Sequence, residues 1–362
     1  MSGLFQQPAS PVPPKRAILP VGKLPADVLA RLLAACAPAD PRVIVGPRVG
    51  EDAAVLDMGD RYLVAKSDPI TFAADAIGWY AVHVNANDVV CAGGTPRWFL
   101  MTLLLPEGAA TAALAEAVFD QVRAACREVG AELVGGHTEI SAGLDRPILV
   151  GAMLGEVAKT ALVQTAGARP GDHLLLTKGI AIEGMAVLAR ERAEALRAAG
   201  VTEEVLARAR EFLRRPGISV VPDARVAAAA ARPHALHDPT EGGLATGLHE
   251  LAEAAAVGLR VDGDAIPVLP ECEVICAALG LDPLGTLASG ALLIAAAPGE
   301  AGRIAAALAA AGVACARIGE VLPAAAGRTL VEAGRPRPLP NFPRDEVARF
   351  FERPPGPWAP PH

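Results

Sequence analysis

HDPTEGGLATGLHELAEAAAVGL, residues 237–259, joins an acidic, glycine-bearing turn to an amphipathic run. Proline disfavours the α conformation in the residue before it, so Asp238 in Asp238-Pro239 is expected at the edge of an element. Gly242 and Gly243 allow another group to approach the backbone closely. The helix read from Gly242 to Ala256 would then present its free N-terminal amides, which favour an anion. Thr240, Gly242 and Gly243 are therefore candidates for holding phosphate, and His237 is a candidate for touching a ligand.

Three further acidic clusters lie upstream: Gly50-Glu51-Asp52, Lys66-Ser67-Asp68 and Asn87-Asp88. Each alone is explained by the habit of Asp and Asn of bonding nearby backbone amides in turns and caps. Brought together, they would form a strongly anionic pocket that needs cations. Magnesium suits it, being a hard ion that takes oxygen ligands and bridges carboxylates to phosphate. Gly135-Gly136-His137-Thr138 is a second place for close backbone approach, and is read as a turn or a phosphate-lining loop. No phosphate-loop motif, protein-kinase signature set or hydrolase nucleophile elbow occurs in the sequence.

The 362 residues suffice for two domains, and 52% hydrophobic with 20% charged residues describes a globular chain. A net charge of −7 with scattered basic residues argues against a broad nucleic-acid face. No long uncharged apolar run or secretory leader is evident, so no membrane span is expected and the location is read as cytoplasmic. The six cysteines are dispersed apart from Cys272 and Cys276, and read as small buried apolar residues. The organisation is read as a flexible arm (1–19), a first domain (20–157), a second domain (158–322) and a Pro-rich tail (323–362) with little ability to pack. Strands alternating with helices in both halves make the fold α/β or α+β. The apolar run Trp98 to Leu105 predicts a strand covered on two faces, and an apolar sheet edge predicts a homodimer.

As a set, GEDAAVL (50–56), KSDPI (66–70), VNANDVVCAGGTPRWFLMTLLLPEG (84–108), VGGHTEI (134–140), GARPGDHLLLTK (167–178) and the opening stretch resemble the aminoimidazole ribonucleotide synthetase superfamily. That superfamily also contains selenophosphate synthetase, thiamine-monophosphate kinase and the hydrogenase maturation factor that dehydrates a carbamoylated cysteine. The opening stretch, with AIPVLPE after it, is most similar to the maturation factor. The resemblance implies two α/β domains, first domains that pair through a shared β-barrel, and the use of ATP to activate a substrate oxygen. It implies magnesium-binding carboxylates at Asp52, Asp88 and Asp238, with Asp68 a further ligand to metal or nucleotide. By the same resemblance Gly135, Gly136 and Thr138 line the nucleotide phosphates and Lys23 closes over them; Asn87 and His137 are candidates to border the nucleotide beside them. Lys23 and His137 become the candidate catalytic groups. A maturation-factor partner is implied as well. The maturation factor carries its reactive cysteine at its extreme C-terminus, whereas the last cysteine here is Cys315. The acceptor, small-molecule or protein-borne, is therefore left open. PRWFLMTLLLPEG resembles the thiamine-monophosphate kinase, which makes a small-molecule kinase the alternative enzyme; a non-catalytic nucleotide-binding assembly protein is the alternative outside enzymes.

Overall fold

A computed structural model describes residues 19, 21–36 and 38–352. The arm expected at 1–19 falls almost wholly outside the described residues, as do the last ten residues of the tail.

The first half runs α1 (Ala26–Ala34), β1 (Val43–Val45), β2 (Ala54–Asp57), β3 (Arg61–Ile70), α2 (Ile77–Cys91), β4 (Thr95–Pro106), α3 (Ala112–Val129), β5 (Glu132–Ser141) and β6 (Ile148–Ala158). Its six strands form one sheet in the order β1-β2-β3-β6-β4-β5. Only β4 and β5 run parallel, with α3 making the crossover that parallel neighbours require. Every residue of α2 is buried, and it is apolar around most of its surface, as a helix enclosed on all sides must be. Four polar residues nonetheless lie within it: His83, Asn85, Asn87 and Asp88. Burying such groups is costly, so each needs a partner or a role.

The second half holds β7 (His173–Thr177), α4 (Ile182–Glu191), α5 (Ala193–Ala198), α6 (Glu203–Glu211), α7 (Val221–Ala230), β8 (Ala235–His237), α8 (Gly243–Ala254), β9 (Gly258–Asp262), α9 (Pro270–Leu279), β10 (Leu293–Ala296), α10 (Pro298–Ala310), β11 (Cys315–Leu322), β12 (Arg328–Glu332), β13 (Arg335–Pro338) and α11 (Glu346–Phe351). Its seven strands are ordered β13-β12-β9-β11-β7-β10-β8. Two apolar cores result: one runs from α2 and the first sheet into the second half's helices, including Met185, Leu206, Val221 and Ile304, and the other lies between α8 and the second sheet.

Three expectations change. The tail from 323 packs: β12 pairs in parallel with β9, Leu330 is buried, and α11 buries Val347, Ala348 and Phe350. The exposed Arg335-Pro336-Arg337-Pro338 of β13 hides this in the composition. Asp68, which also precedes a proline and is therefore expected at an element's edge, lies within a strand, because β3 continues through KSDPI to Ile70. β2 pairs with β3 only as far as Ala65, so the far end of β3 is open on that side and tolerates Pro69. Gly135 and Gly136 lie inside β5, not in a turn. Gly136 is there because φ is +143° and a Cβ would come within 1.8 Å of the Met101 carbonyl oxygen.

Candidate functional site

Residues two apart on a strand share a face, which places Lys66 and Asp68 on the same side of β3. That side meets α2. Lys66 Nζ lies 3.2 Å from Asp68 Oδ2 and 3.4 Å from Asp88 Oδ2. The Asn85 amide fixes the strand to the helix: its oxygen accepts the Asp68 N–H at 2.9 Å, and its nitrogen donates to the Ala81 carbonyl at 2.8 Å. One turn beyond Asp88, Cys91 ends the helix and donates its S–H to Asp238 Oδ1 at 3.6 Å. Asp238 follows β8, as its proline neighbour predicts. Asp52, just before β2, completes the group; Asp52, Cys91 and Asp238 offer ligand atoms within 4.8 Å of one another. Four aspartates widely separated in sequence thus surround one lysine.

The electrostatics are lopsided. Asp88 and Asp238 are almost wholly buried, and among the described residues Oδ2 of each has no hydrogen bond, Asp88 Oδ2 facing Lys66 across 3.4 Å. Burial pushes the Asp88 carboxyl well above the usual carboxylate range, against the pull of Lys66. Burial and the neighbouring Asp52 push Asp238 up to about 7. Burial works against a charged Lys66, but Asp88, Asp68, Asp52 and Asp238 outweigh it and hold the ammonium firmly protonated. His237 is held in the same way. Burial lowers it, yet Asp52 at 2.8 Å from Nδ1 and Glu250 at 3.1 Å from Nε2 raise it well above its ordinary value. Buried carboxylate oxygens left without hydrogen bonds are what a cation-binding site needs and a merely structural cluster avoids. The donor set, hard oxygens at several angles, fits magnesium.

Beside the cluster opens a cleft of about 510 Å³, bordered by Lys23, Asp68, Glu183, Thr240, Glu241 and Ser289. Lys23 is half exposed; its backbone N–H donates to Glu241 at 3.1 Å and its Nζ stands 3.6 Å from Glu250. Lys23, Asp68 and Thr240 are therefore brought together with the carboxylates, as expected.

Other expected site residues are placed elsewhere. Asn87 is fully buried and its amide is engaged at both ends, donating to the Ile218 carbonyl and accepting the Val220 N–H, each at 2.8 Å. It brackets the two halves of the molecule and has no face left for nucleotide. Gly242 and Gly243 are buried. The Gly242 N–H donates to Asp345 Oδ2 at 2.7 Å, so the anion expected at the start of α8 is the chain's own carboxylate. Gly243 serves packing, since a Cβ would meet the Leu284 carbonyl oxygen at 2.4 Å. Gly135, Gly136, His137 and Thr138 lie on the exposed strand β5, where His137 pairs with Glu139 at 3.3 Å. Among the described residues no hydrogen bond or ion pair joins this strand to the aspartates.

Reading the residues alone overlooked Lys66, Glu250 and Asp345. Lys66 stood inside the quoted KSDPI, and a basic residue two positions before an acidic one on a strand is the signal that could have found it. Glu250 stood within the quoted 237–259 stretch, 13 residues after the His237 it bonds, whereas Asp345 gave no signal, since it meets Gly242 across a long sequence separation.

Two α/β halves with a buried aspartate cluster between them define a class of nucleotide-dependent enzymes, and the comparisons agree. The AIR synthase related protein N-terminal domain matches residues 50–157 and the C-terminal domain of the same family matches residues 169–331. The chain belongs to the AIR synthase related family. Within it, carbamoyl dehydratase HypE of Cupriavidus necator is 34% identical over 269 residues, covering 72% of this chain and 73% of that protein. The selenide, water dikinase of a Shewanella strain is 31% identical over 259 residues, covering 68% of each. The crystal structure of the hydrogenase maturation protein HypE in complex with ATP superposes with a TM-score of 0.64 at 25% identity, over 86% of this chain and 92% of that one.

Proposed function

We propose that this chain is an ATP- and magnesium-dependent enzyme of the carbamoyl dehydratase type, which phosphorylates a carbonyl or amide oxygen and so makes it a leaving group. The observation that carries the reading is the pair of buried, hydrogen-bond-free oxygens, Asp88 Oδ2 and Asp238 Oδ2, inside a cluster of four aspartates. Asp52, Asp88 and Asp238 would hold magnesium, which when bound offsets the charge of the transferring phosphate. Asp68 lies between that position and the cleft. Lys23, which also lines the cleft, adds a cation where phosphate negative charge builds up. His237, bridged between Asp52 and Glu250, orients Asp52. The relatives named above support the use of ATP.

Asp68 and Glu241 against Lys23, the one cation lining the cleft among the described residues, make it better suited to a neutral acceptor than to an anionic one. Glu183 adds to this as a neutral hydrogen-bond donor, since burial pushes it up to about 8. We further propose a homodimer acting in the cytoplasm, with β5 as the paired edge. Val134 and Ile140 are 52% and 64% exposed on that strand, an arrangement that invites another copy of the chain. Among the described residues no helix is long and apolar enough to cross a membrane.

ADP release by the purified protein tests the activity. A peptide bearing S-carbamoylcysteine should raise ADP formation from magnesium-ATP, and Asp88→Asn should abolish the rise. Stimulation by thiamine monophosphate alone would favour the kinase alternative. Release that is identical in wild type and Asp88→Asn would contradict the site.

A further inference from the structure

We propose that Lys66 is a tethered cation that fills one cation position of the aspartate cluster, so that the site recruits one divalent ion fewer than its carboxylates could otherwise hold. This rests on the magnesium- and ATP-dependent reading above. The cluster divides in two. On one side Asp68 and Asp88, from β3 and α2, face each other across the Lys66 ammonium, 3.2 and 3.4 Å from Nζ. That is where a metal ion bridging the two carboxylates would otherwise lie. On the other side Asp52 and Asp238 converge with Cys91 and have no lysine between them. There Asp238, only 2% exposed, has an oxygen without any hydrogen bond. Lys66 neutralises the Asp68 and Asp88 side from within; on the other side His237 pairs with Asp52, 2.8 Å away, and leaves Asp238 Oδ2 to a cation from solution.

The backbone makes this arrangement obligatory. Lys66 is held in the middle of β3 by the pairing of Lys66 with Met153 on β6, and its side chain is only 21% exposed. Asn85 ties the next residue on that face, Asp68, to α2. The ammonium thus cannot leave without exposing two carboxylates to each other at short range. Like charges so close in a buried setting are strongly unfavourable. A lysine supplies one positive charge without needing free magnesium, and it cannot dissociate. The site therefore trades one exchangeable ion for a permanent one, which lowers its dependence on the magnesium concentration.

The test counts ions and uses the full chain. Mn²⁺ is titrated without nucleotide, free ion is read by electron paramagnetic resonance, and melting is followed in chelator and in MgCl₂. Lys66→Met keeps the length and removes the charge; Lys66→Arg keeps the charge. Lys66→Met is expected to bind one more Mn²⁺ per chain than wild type, to melt lower in chelator, and to recover on adding magnesium. Lys66→Arg should keep the wild-type count. If Lys66→Met does not fold, Lys66→Gln, which still hydrogen-bonds both carboxylates, is counted in its place. Equal ion counts in wild type and the uncharged variant overturn the proposal. Calorimetry of wild type with magnesium-ATP separates the two levels. A wild type that binds nucleotide while the variant gains no ion removes the role of Lys66 alone. A wild type that binds neither metal nor nucleotide removes both.

Discussion

The aspartate cluster and the Gly135–Thr138 strand belong to the same set of sequence motifs, yet the fold treats them oppositely. Asp88 and Asp238 are drawn into the interior, where Asp88 Oδ2 faces Lys66 across 3.4 Å and Asp238 Oδ2 has no hydrogen-bond partner among the described residues. Gly135 to Thr138 lie on an edge strand with their side chains in the open. The cluster forms because four segments meet there: the residues before β2, β3, the all-buried helix α2, and the loop after β8. The strand stays open because β5 is last in its sheet, with a neighbour on one side only. Motifs that share a chain do not share a site until elements from different parts of the chain meet. Within one copy, β5 meets only β4 in the sheet.

The two glycines of β5 give the largest expected effect. Gly136→Ala must place a methyl group against the Met101 carbonyl at a positive φ. It should cost about 3 kcal/mol or more in a denaturant titration. Gly135→Ala has no atom nearer than 3.9 Å and should shift stability by less than about 0.5 kcal/mol. Equal effects would mean that the pair serves a ligand and not the backbone.

Proton competition comes next and concerns the cluster alone. Asp238 has a folded-state value raised to about 7 from 3.8, so between those values the native protein binds more protons than the unfolded chain. Stability of the metal-free protein should therefore rise as pH falls through about 7, and fall again towards alkaline pH. Magnesium affinity should move the opposite way, dropping roughly tenfold per pH unit below 7 while a single site controls it. Asp238→Asn should flatten both curves. A magnesium affinity that does not change between pH 8 and pH 6 would remove Asp238 from the site.

The edge strand supplies the smallest change in stability but a change in assembly. Ile140→Lys and Val134→Glu alter side chains already open to solvent, so melting of the isolated chain should move by less than about 0.5 kcal/mol. Light scattering should meanwhile show the dimer giving way to monomer. A wild type that is monomeric at micromolar concentration would contradict the pairing of β5.

Much of the cluster was legible in the sequence because carboxylates beside proline and at the ends of apolar runs carry their chemistry in the residue type. Asp52, Asp68, Asp88 and Asp238 do converge. What could not be read is how neighbours distant in sequence spend the groups that looked available. Asn87 was expected at the nucleotide, yet a loop at Ile218 to Val220 consumes its amide. The amide of Gly242 was expected at phosphate, and Asp345 occupies it from a stretch whose proline and arginine content suggested no packing at all. In that same stretch Leu330 and Val347 are fully buried. Composition averages a few core residues into many exposed ones, and no local period marks the contact.

The central claim is that the aspartates bind magnesium-nucleotide and are not a capping network. Calorimetric titration of magnesium-ATP into wild type, Asp88→Asn, Asp238→Asn and Asp60→Asn tests it directly. Asp60 is exposed beside Arg61, far from the cluster in its bonding, and serves as the control. The account predicts binding to wild type and Asp60→Asn, and a loss of at least about tenfold, or about 1.4 kcal/mol, in the two buried variants. Both buried variants should melt at or above the wild-type temperature without ligand, since Asn leaves no carboxylate to be ionised in the interior. Unchanged magnesium-ATP affinity in both Asp88→Asn and Asp238→Asn would contradict the account.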